Sequence, residues 1–179
     1  MAATAAALAA RARVVEPRCG SVTVVAIDGP SGSGKSSLAA ALAGELGWPV
    51  ISMDDLFPGW NGPAAASPLL VEQVLEPLSQ GRPAGYRRWD WLAGTWDGWV
   101  SVAAGPGLIV EGCASSVGGA REFAALRVWV EADRDIRMAR GLERDGESYR
   151  PHWERWATQE DELFGADGTR SHADVISRT

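Results

Sequence analysis

The sequence predicts an α/β fold of three layers, with a central parallel sheet of about five strands covered by helices on both sides. Three observations predict it. Strand and helix signals alternate from residue 21 onward, as they do where parallel strands are joined by helical crossovers. The chain has 179 residues and is 46% apolar, enough to fill one core as a single domain. A glycine-rich turn, "GPSGSGKS", separates the first strand-like run from the first long helical one.

The elements follow in order. The opening "MAATAAALAARAR" is mostly alanine, with no basic residue ahead of its apolar part. It is therefore read as a frayed helix in a cytoplasmic protein rather than an export leader, with residues 1–20 as an extension to a domain of residues 21–179. "SVTVVAID" (21–28) is β-branched and suits a buried central strand, and "KSSLAAALAGELG" (35–47) is a helix stopped by Gly47. "WPVISM" is the second strand and runs into Asp54 and Asp55. Residues 67–81 begin with Ser then Pro and stop at Gly81, an N-cap and first-turn pairing for a helix, which Pro77 kinks or shortens. Residues 81–105, rich in Trp, Arg and Gly, show no clean period. "GLIVEG" (107–112) and "LRVWVEA" (126–132) are the third and fourth strands. Residues 133–144 form a helix polar on one side, 149–164 a second helix after a break at Asp145 and Gly146, and "ADVIS" (173–177) the last strand.

A net charge of −6, a pI near 4.9 and no basic cluster argue against a general nucleic-acid or membrane-surface binder. No apolar run approaches the roughly 20 residues that cross a bilayer. The two cysteines and two histidines lack ligand spacing, so neither a zinc site nor a disulfide framework is expected. Of the 17 basic residues, 16 are arginine, and the one lysine is Lys35. An exchange of Lys for Arg wherever either serves would leave that lysine where arginine does not serve.

Gly29, four further residues, then Gly34, Lys35 and Ser36 complete the GxxxxGK[ST] spacing between a strand and a helix. Such glycines let successive N–H groups point inward, and the helix N-terminus adds positive potential. Gly29, Ser31, Gly32, Ser33, Gly34, Lys35, Ser36 and Ser37 form the expected polyphosphate cradle, with Ser36 offering its hydroxyl to Mg²⁺. Asp54 and Asp55 follow the second strand at the carboxyl edge of the sheet, where open α/β folds place ligands. One of them is a candidate base for an acceptor hydroxyl, with a turn or cap role as the alternative. Glu111, at the same edge, is a candidate metal ligand or the partner of an arginine. Arg134, Arg137, Arg140 and Arg144 recur at helical spacing. The first two read as a solvated face, and Arg140 and Arg144 as cations that fold over the phosphates.

At these residues the chain resembles the uridine kinase and phosphoribulokinase group of P-loop small-molecule kinases, over residues 22–177. The likeness is carried by "DGPSGSGKSS", "SMDDLF", "SPLLVEQVLEPLSQGRP" followed by "YRRWDW", "IVEG", "DIRMARGLERD" and "ADVI". It implies a P-loop NTPase-type sandwich with a helical lid around residues 140–152, ATP and Mg²⁺ as cofactors, and a small-molecule acceptor, first of all a nucleoside. By the same resemblance Asp54 is the base, Arg140 and Arg144 are lid arginines, and Tyr86, Trp89, Asp90 and Trp91 stand near the substrate. The chain departs from the group at "NGPAAAS", which lacks the ribose-binding aspartate, at "GESYRPHW", where Arg150 stands for an arginine pair, and at "LAGTW", where a histidine is expected.

Five of the nine tryptophans, Trp60, Trp89, Trp91, Trp96 and Trp99, fall in the poorly periodic parts. They either stack on a flat acceptor or pack the loops. Trp153 and Trp156, at helical spacing with Glu160 and Leu163, read as packing of the lid helix. Two further readings stand beside the nucleoside kinase. One is a nucleotide-, gluconate- or shikimate-type acceptor met by Arg82, Arg87 and Arg88. The other is a P-loop ATPase or switch with a protein partner.

Overall fold

A computed structural model describes residues 4–61, 63–146 and 150–179. Five parallel strands form the central sheet in the order β2-β5-β1-β6-β7. They are β1 (Thr23–Asp28), β2 (Val50–Ser52), β5 (Gly107–Glu111), β6 (Ala124–Glu131) and β7 (Val175–Arg178). The five runs read as strands from sequence are these five. All residues of β1 and β5 are buried, because helices cover both faces of the sheet.

The two faces separate residue by residue. Val24, Leu108 and Val110 enter one core, while Val25, Ile27 and Ile109 enter the other, as the two-residue period of a strand requires. The second core is closed by α1 (Ala5–Ala12) and α2 (Lys35–Leu46), with Leu8, Ala9, Ala12, Ala39 and Leu42 buried against β1 and β6. The N-terminal helix is thus docked rather than frayed: Thr4 caps it by accepting the Ala7 N–H, and Leu8 is buried. The first core is closed by α3 (Pro63–Leu70), α4 (Glu76–Ser79) and the Trp156 face of α7 (Arg150–Asp167).

Between α3 and α4 lies one wide turn, Val71–Leu75, in which the Glu76 N–H reaches back five residues to the Val71 carbonyl. The sequence places a helix over 67–81 with a kink at Pro77. The structure starts it at Pro63 and opens it before Pro77, whose ring and missing N–H are incompatible with a regular ladder. β3 (Gly85–Asp90) and β4 (Thr95–Ser101) pair as an antiparallel hairpin apart from the main sheet. This is the stretch without a clean period, and β4 is mostly exposed. α5 (Ala120–Phe123) leads into β6, and α6 (Arg134–Asp145) with α7 forms the helical lid of a three-layer P-loop NTPase-like sandwich.

Candidate active site

The loop after β1 turns through three glycines with positive φ: Gly29 at 137°, Gly32 at 76° and Gly34 at 94°. Gly34 occupies the N-cap of α2 and has no side chain to cap it, so the first N–H groups of the helix keep no side-chain acceptor there. A Cβ at Gly32 would stand 2.3 Å from the carbonyl oxygen of Arg137, so α6 lies directly on the loop.

The base of the loop is held by Asp28, at 1% exposure. Its Oδ1 accepts the N–H groups of Gly29 (2.7 Å) and Ala114 (3.0 Å), and its Oδ2 accepts the N–H (2.8 Å) and hydroxyl (2.9 Å) of Ser116. Burial pushes its pKa from 3.8 up to about 6, while Ser116, Gly29 and Lys35 pull it down. The folded chain therefore holds this proton more tightly than the unfolded one. The resulting stability is full below about pH 4 and is lost as pH rises through about 6. Asp28→Asn should flatten that part of a urea-denaturation series. At pH 7 it should also cost about 1–3 kcal/mol, because the amide NH₂ cannot accept the donors that meet one of the two oxygens.

Ser31, Lys35, Ser36, Asp54, Glu111 and Cys113 line one recess at the carboxyl ends of β1, β2 and β5. The order β2-β5-β1 causes this convergence, since Glu111 is in register with Ser52 on one side and Ile27 on the other. Lys35 is buried and donates to the Pro30 carbonyl at 3.0 Å. The Glu111 carboxylate accepts the Ser36 hydroxyl at 3.2 Å and the Ser52 hydroxyl at 2.9 Å. Burial raises its pKa, with Lys35 and the two hydroxyls opposing and Asp54 adding to the rise. Ser52 was not legible as a site residue from sequence. It also accepts the Asp54 N–H at 3.4 Å, capping the Met53–Asp55 turn that presents the acid.

The two aspartates part company. Asp54 faces the recess, whereas Asp55 accepts the Tyr86 hydroxyl at 2.9 Å and ties the hairpin to the end of β2. Tyr86 is buried, and burial and Asp55 both raise its phenol pKa. The Trp91 indole donates to the Asp54 carbonyl at 2.9 Å, a second hairpin anchor. Asp90 accepts the N–H groups of Leu92 and Ala93 and shapes the hairpin turn, which lowers its pKa. Arg88 pairs with Asp97 across the hairpin at 3.2 Å with both side chains exposed, and Trp89 meets Trp96 edge-on at 5.2 Å. Ser33 is buried, its carbonyl accepting the Thr179 hydroxyl at 2.9 Å, and Ser37 is exposed on α2.

An aromatic group stands beside Asp54. Trp60 lies parallel to His152, with ring centres 4.2 Å apart, and meets Trp91 and Trp156 edge-on at 5.0 and 6.0 Å. From α6, Arg140 donates to the Gly32 carbonyl at 3.4 Å and to the Thr179 hydroxyl at 2.8 Å. The side chain of Arg144 lies outside the described residues. Arg137, read from sequence as part of a solvated face, is buried instead. It donates to the carbonyls of Ala132 (3.2 Å) and Ser31 (3.3 Å), because α6 presses this face onto the loop. Arg134 does stay on the surface, paired with Glu154 at 2.6 Å.

Glu160, which spacing assigns to packing of the lid helix, also reaches the loop. From α7 its Oε1 accepts the Ser31 N–H at 2.9 Å and the Ser31 hydroxyl at 2.7 Å, 129 residues away in sequence, and also the Trp156 indole at 2.9 Å. The available signal was an acid on the same helical face as Trp153 and Trp156. Among the described residues, no group of three acidic, His or Cys side chains forms a metal cage, and no helix is long and apolar enough to cross a membrane.

The cytidylate kinase family model matches residues 25–58, the segment that contains the loop and Asp54. Among curated proteins, a cytidylate kinase of Stutzerimonas stutzeri is 56% identical over 36 residues, 20% of this chain. A protein described as a probable gluconokinase of Schizosaccharomyces pombe is 37% identical over 70 residues, 38% of this chain. The matched stretches span 16% and 30% of those relatives' own lengths. A solved structure of a possible uridine kinase from Bacillus stearothermophilus superposes with a TM-score of 0.68 at 20% identity, covering 95% of each chain. At that identity the likeness is one of fold, shared over nearly the whole chain, and the family-model match is confined to the stretch that holds the loop and Asp54.

Proposed function

We propose that the chain is an ATP- and Mg²⁺-dependent phosphotransferase that moves a γ-phosphate to a hydroxyl of a small metabolite, a nucleoside before other acceptors. The observation that carries this reading is the single recess joining Lys35 and Ser36 to Asp54 and Glu111. A loop that curls through three glycines with positive φ, set at a helix N-terminus without a side-chain cap, suits a polyphosphate. The paired Ser36 and Glu111 oxygens suit a hard cation that takes its other ligands from phosphate and water. Bound ATP and Mg²⁺ would supply the transferable group and neutralise its charge.

In this reading Lys35 and the cradle hold the phosphates, and Ser36 and Glu111 hold the metal. Asp54 accepts the proton of the acceptor hydroxyl, and Arg140 meets charge at the loop, with Arg144 as a second lid arginine. Asp55, Tyr86 and Trp91 fix the hairpin as one wall of the acceptor site, with Arg88, Trp89 and Asp90 on that hairpin. An uncharged acceptor is favoured over an anionic one. Of the three arginines that could meet an anion, Arg88 is paired with Asp97 and Arg82 donates to Gln80, which leaves Arg87, exposed on β3. A sugar-acid acceptor remains a second reading, supported by the 70-residue match to the gluconokinase-like relative.

The test is ADP release from ATP with and without a panel of nucleosides, sugars, sugar acids and shikimate. Release that depends on a nucleoside supports the proposal, and release indifferent to every acceptor replaces it with an ATPase. Tyr86→Phe should raise the acceptor KM about threefold to tenfold with the ATP KM unchanged, since one hydrogen bond to a charged group holds the hairpin against Asp55.

A further inference from the structure

Resting on that reading, we propose that Glu160 is a built-in competitor for the phosphate loop: its carboxylate, which holds Ser31, weakens polyphosphate binding and leaves Ser31 when polyphosphate binds. The carboxylate is 1% exposed and comes from outside the loop motif. Three donors converge on Oε1, two of them from Ser31, which itself lines the recess. Oε2 is buried and has no hydrogen-bond partner among the described residues. Arg137 of α6 stands 4.0 Å from it, and burial raises the pKa of the group, with Lys35, Ser31 and Trp156 opposing the rise. Burial first, and then the same carboxylate, raise the pKa of the Cys113 thiol, which follows β5.

A strut that only tied α7 to the loop would be served by a neutral side chain. A buried carboxylate with one oxygen lacking a hydrogen-bond donor carries a desolvation cost and, when ionised, places negative charge where a polyphosphate must bind. The same α7 turn reaches the acceptor side, where Gln159 donates to the Trp60 carbonyl at 3.1 Å and Trp156 faces Trp60. Release of Glu160 from Ser31 therefore reports occupancy of the phosphate loop to the aromatic group beside Asp54.

Glu160→Gln keeps an oxygen for the three donors and removes the charge. Calorimetric titration with ADP and with inorganic tripolyphosphate should give binding about tenfold tighter than wild type, from the loss of one buried like charge. The ATP KM should fall without a matching rise in kcat, and Glu160→Asp, which retains the charge, should not tighten binding. Affinity in Glu160→Gln that is unchanged or weaker overturns the proposal. Hydrogen exchange on the wild-type chain decides independently if that variant does not fold. Peptides covering 153–163 should exchange faster once tripolyphosphate is bound, and equal or slower exchange overturns the proposal. Wild-type protein that binds neither probe removes the phosphate-loop reading itself. Normal wild-type binding with an unresponsive Glu160→Gln removes only the role of Glu160.

Discussion

Asp54→Asn is expected to slow acceptor-dependent ADP release by about a hundredfold to ten-thousandfold, the range associated with loss of a general base. Its affinity for ADP should stay close to that of wild type. The substitution is nearly isosteric, and the backbone that carries it is held from both sides. The Asp54 N–H donates to Ser52 at 3.4 Å, and its carbonyl accepts the Trp91 indole at 2.9 Å. An amide in the same place cannot take a proton from a hydroxyl, so the loss falls on kcat. Glu111 sits in the same recess but is engaged by Ser36 and Ser52, so it does not take over the role. Single-turnover phosphoryl transfer at the wild-type rate in Asp54→Asn would remove Asp54 as base, whatever the ADP titration gives.

Lys35→Arg is the second large effect. It keeps the positive charge, yet kcat/KM should fall by about a hundredfold or more, the scale of losing one preorganised charge contact to the transferred group. Lys35 is buried with its ammonium 3.0 Å from the Pro30 carbonyl, inside the curl of the loop it serves. A guanidinium is broader, planar and directs its donors as a fork, so it does not occupy the space of a compact ammonium. Steady-state rates and ADP binding, read beside an unchanged melting temperature, separate a site effect from a folding effect. Full activity in Lys35→Arg would mean that charge alone suffices, and that the survival of one lysine among sixteen arginines is accidental.

The legible part of the site was the part encoded locally. The cradle from Gly29 to Ser36 is contiguous, and its glycine spacing is itself the geometry, so reading the letters amounted to reading the positive φ angles that followed. The aspartate pair was located from the residues, and only the family resemblance singled out Asp54. Which carboxylate faces the recess and which accepts a tyrosine hydroxyl depends on a hairpin 31 residues further on. Arg137 was misjudged because a charged residue at helical spacing signals a solvated face unless another element covers it, and here the glycine-rich loop covers it. Glu160 does pack, as its spacing predicts, but its partner Ser31 lies 129 residues away and leaves no local signal.

Sequence alone determined the five strands, the order of helices between them and the glycine-rich loop after β1. Each is specified by short-range properties: β-branched runs, helix stops and glycines that permit positive φ. Tertiary structure decided the rest. The parallel order β2-β5-β1 brings Ser52, Glu111 and Lys35 to one edge, and the packing of α6 and α7 carries Arg137 and Glu160 onto the loop. The hairpin of β3 and β4 takes its position from Tyr86 on Asp55 and Trp91 on Asp54. Strand order and helix docking are set by which apolar surfaces bury each other across long stretches of chain, and that choice leaves no period in the residues it brings together.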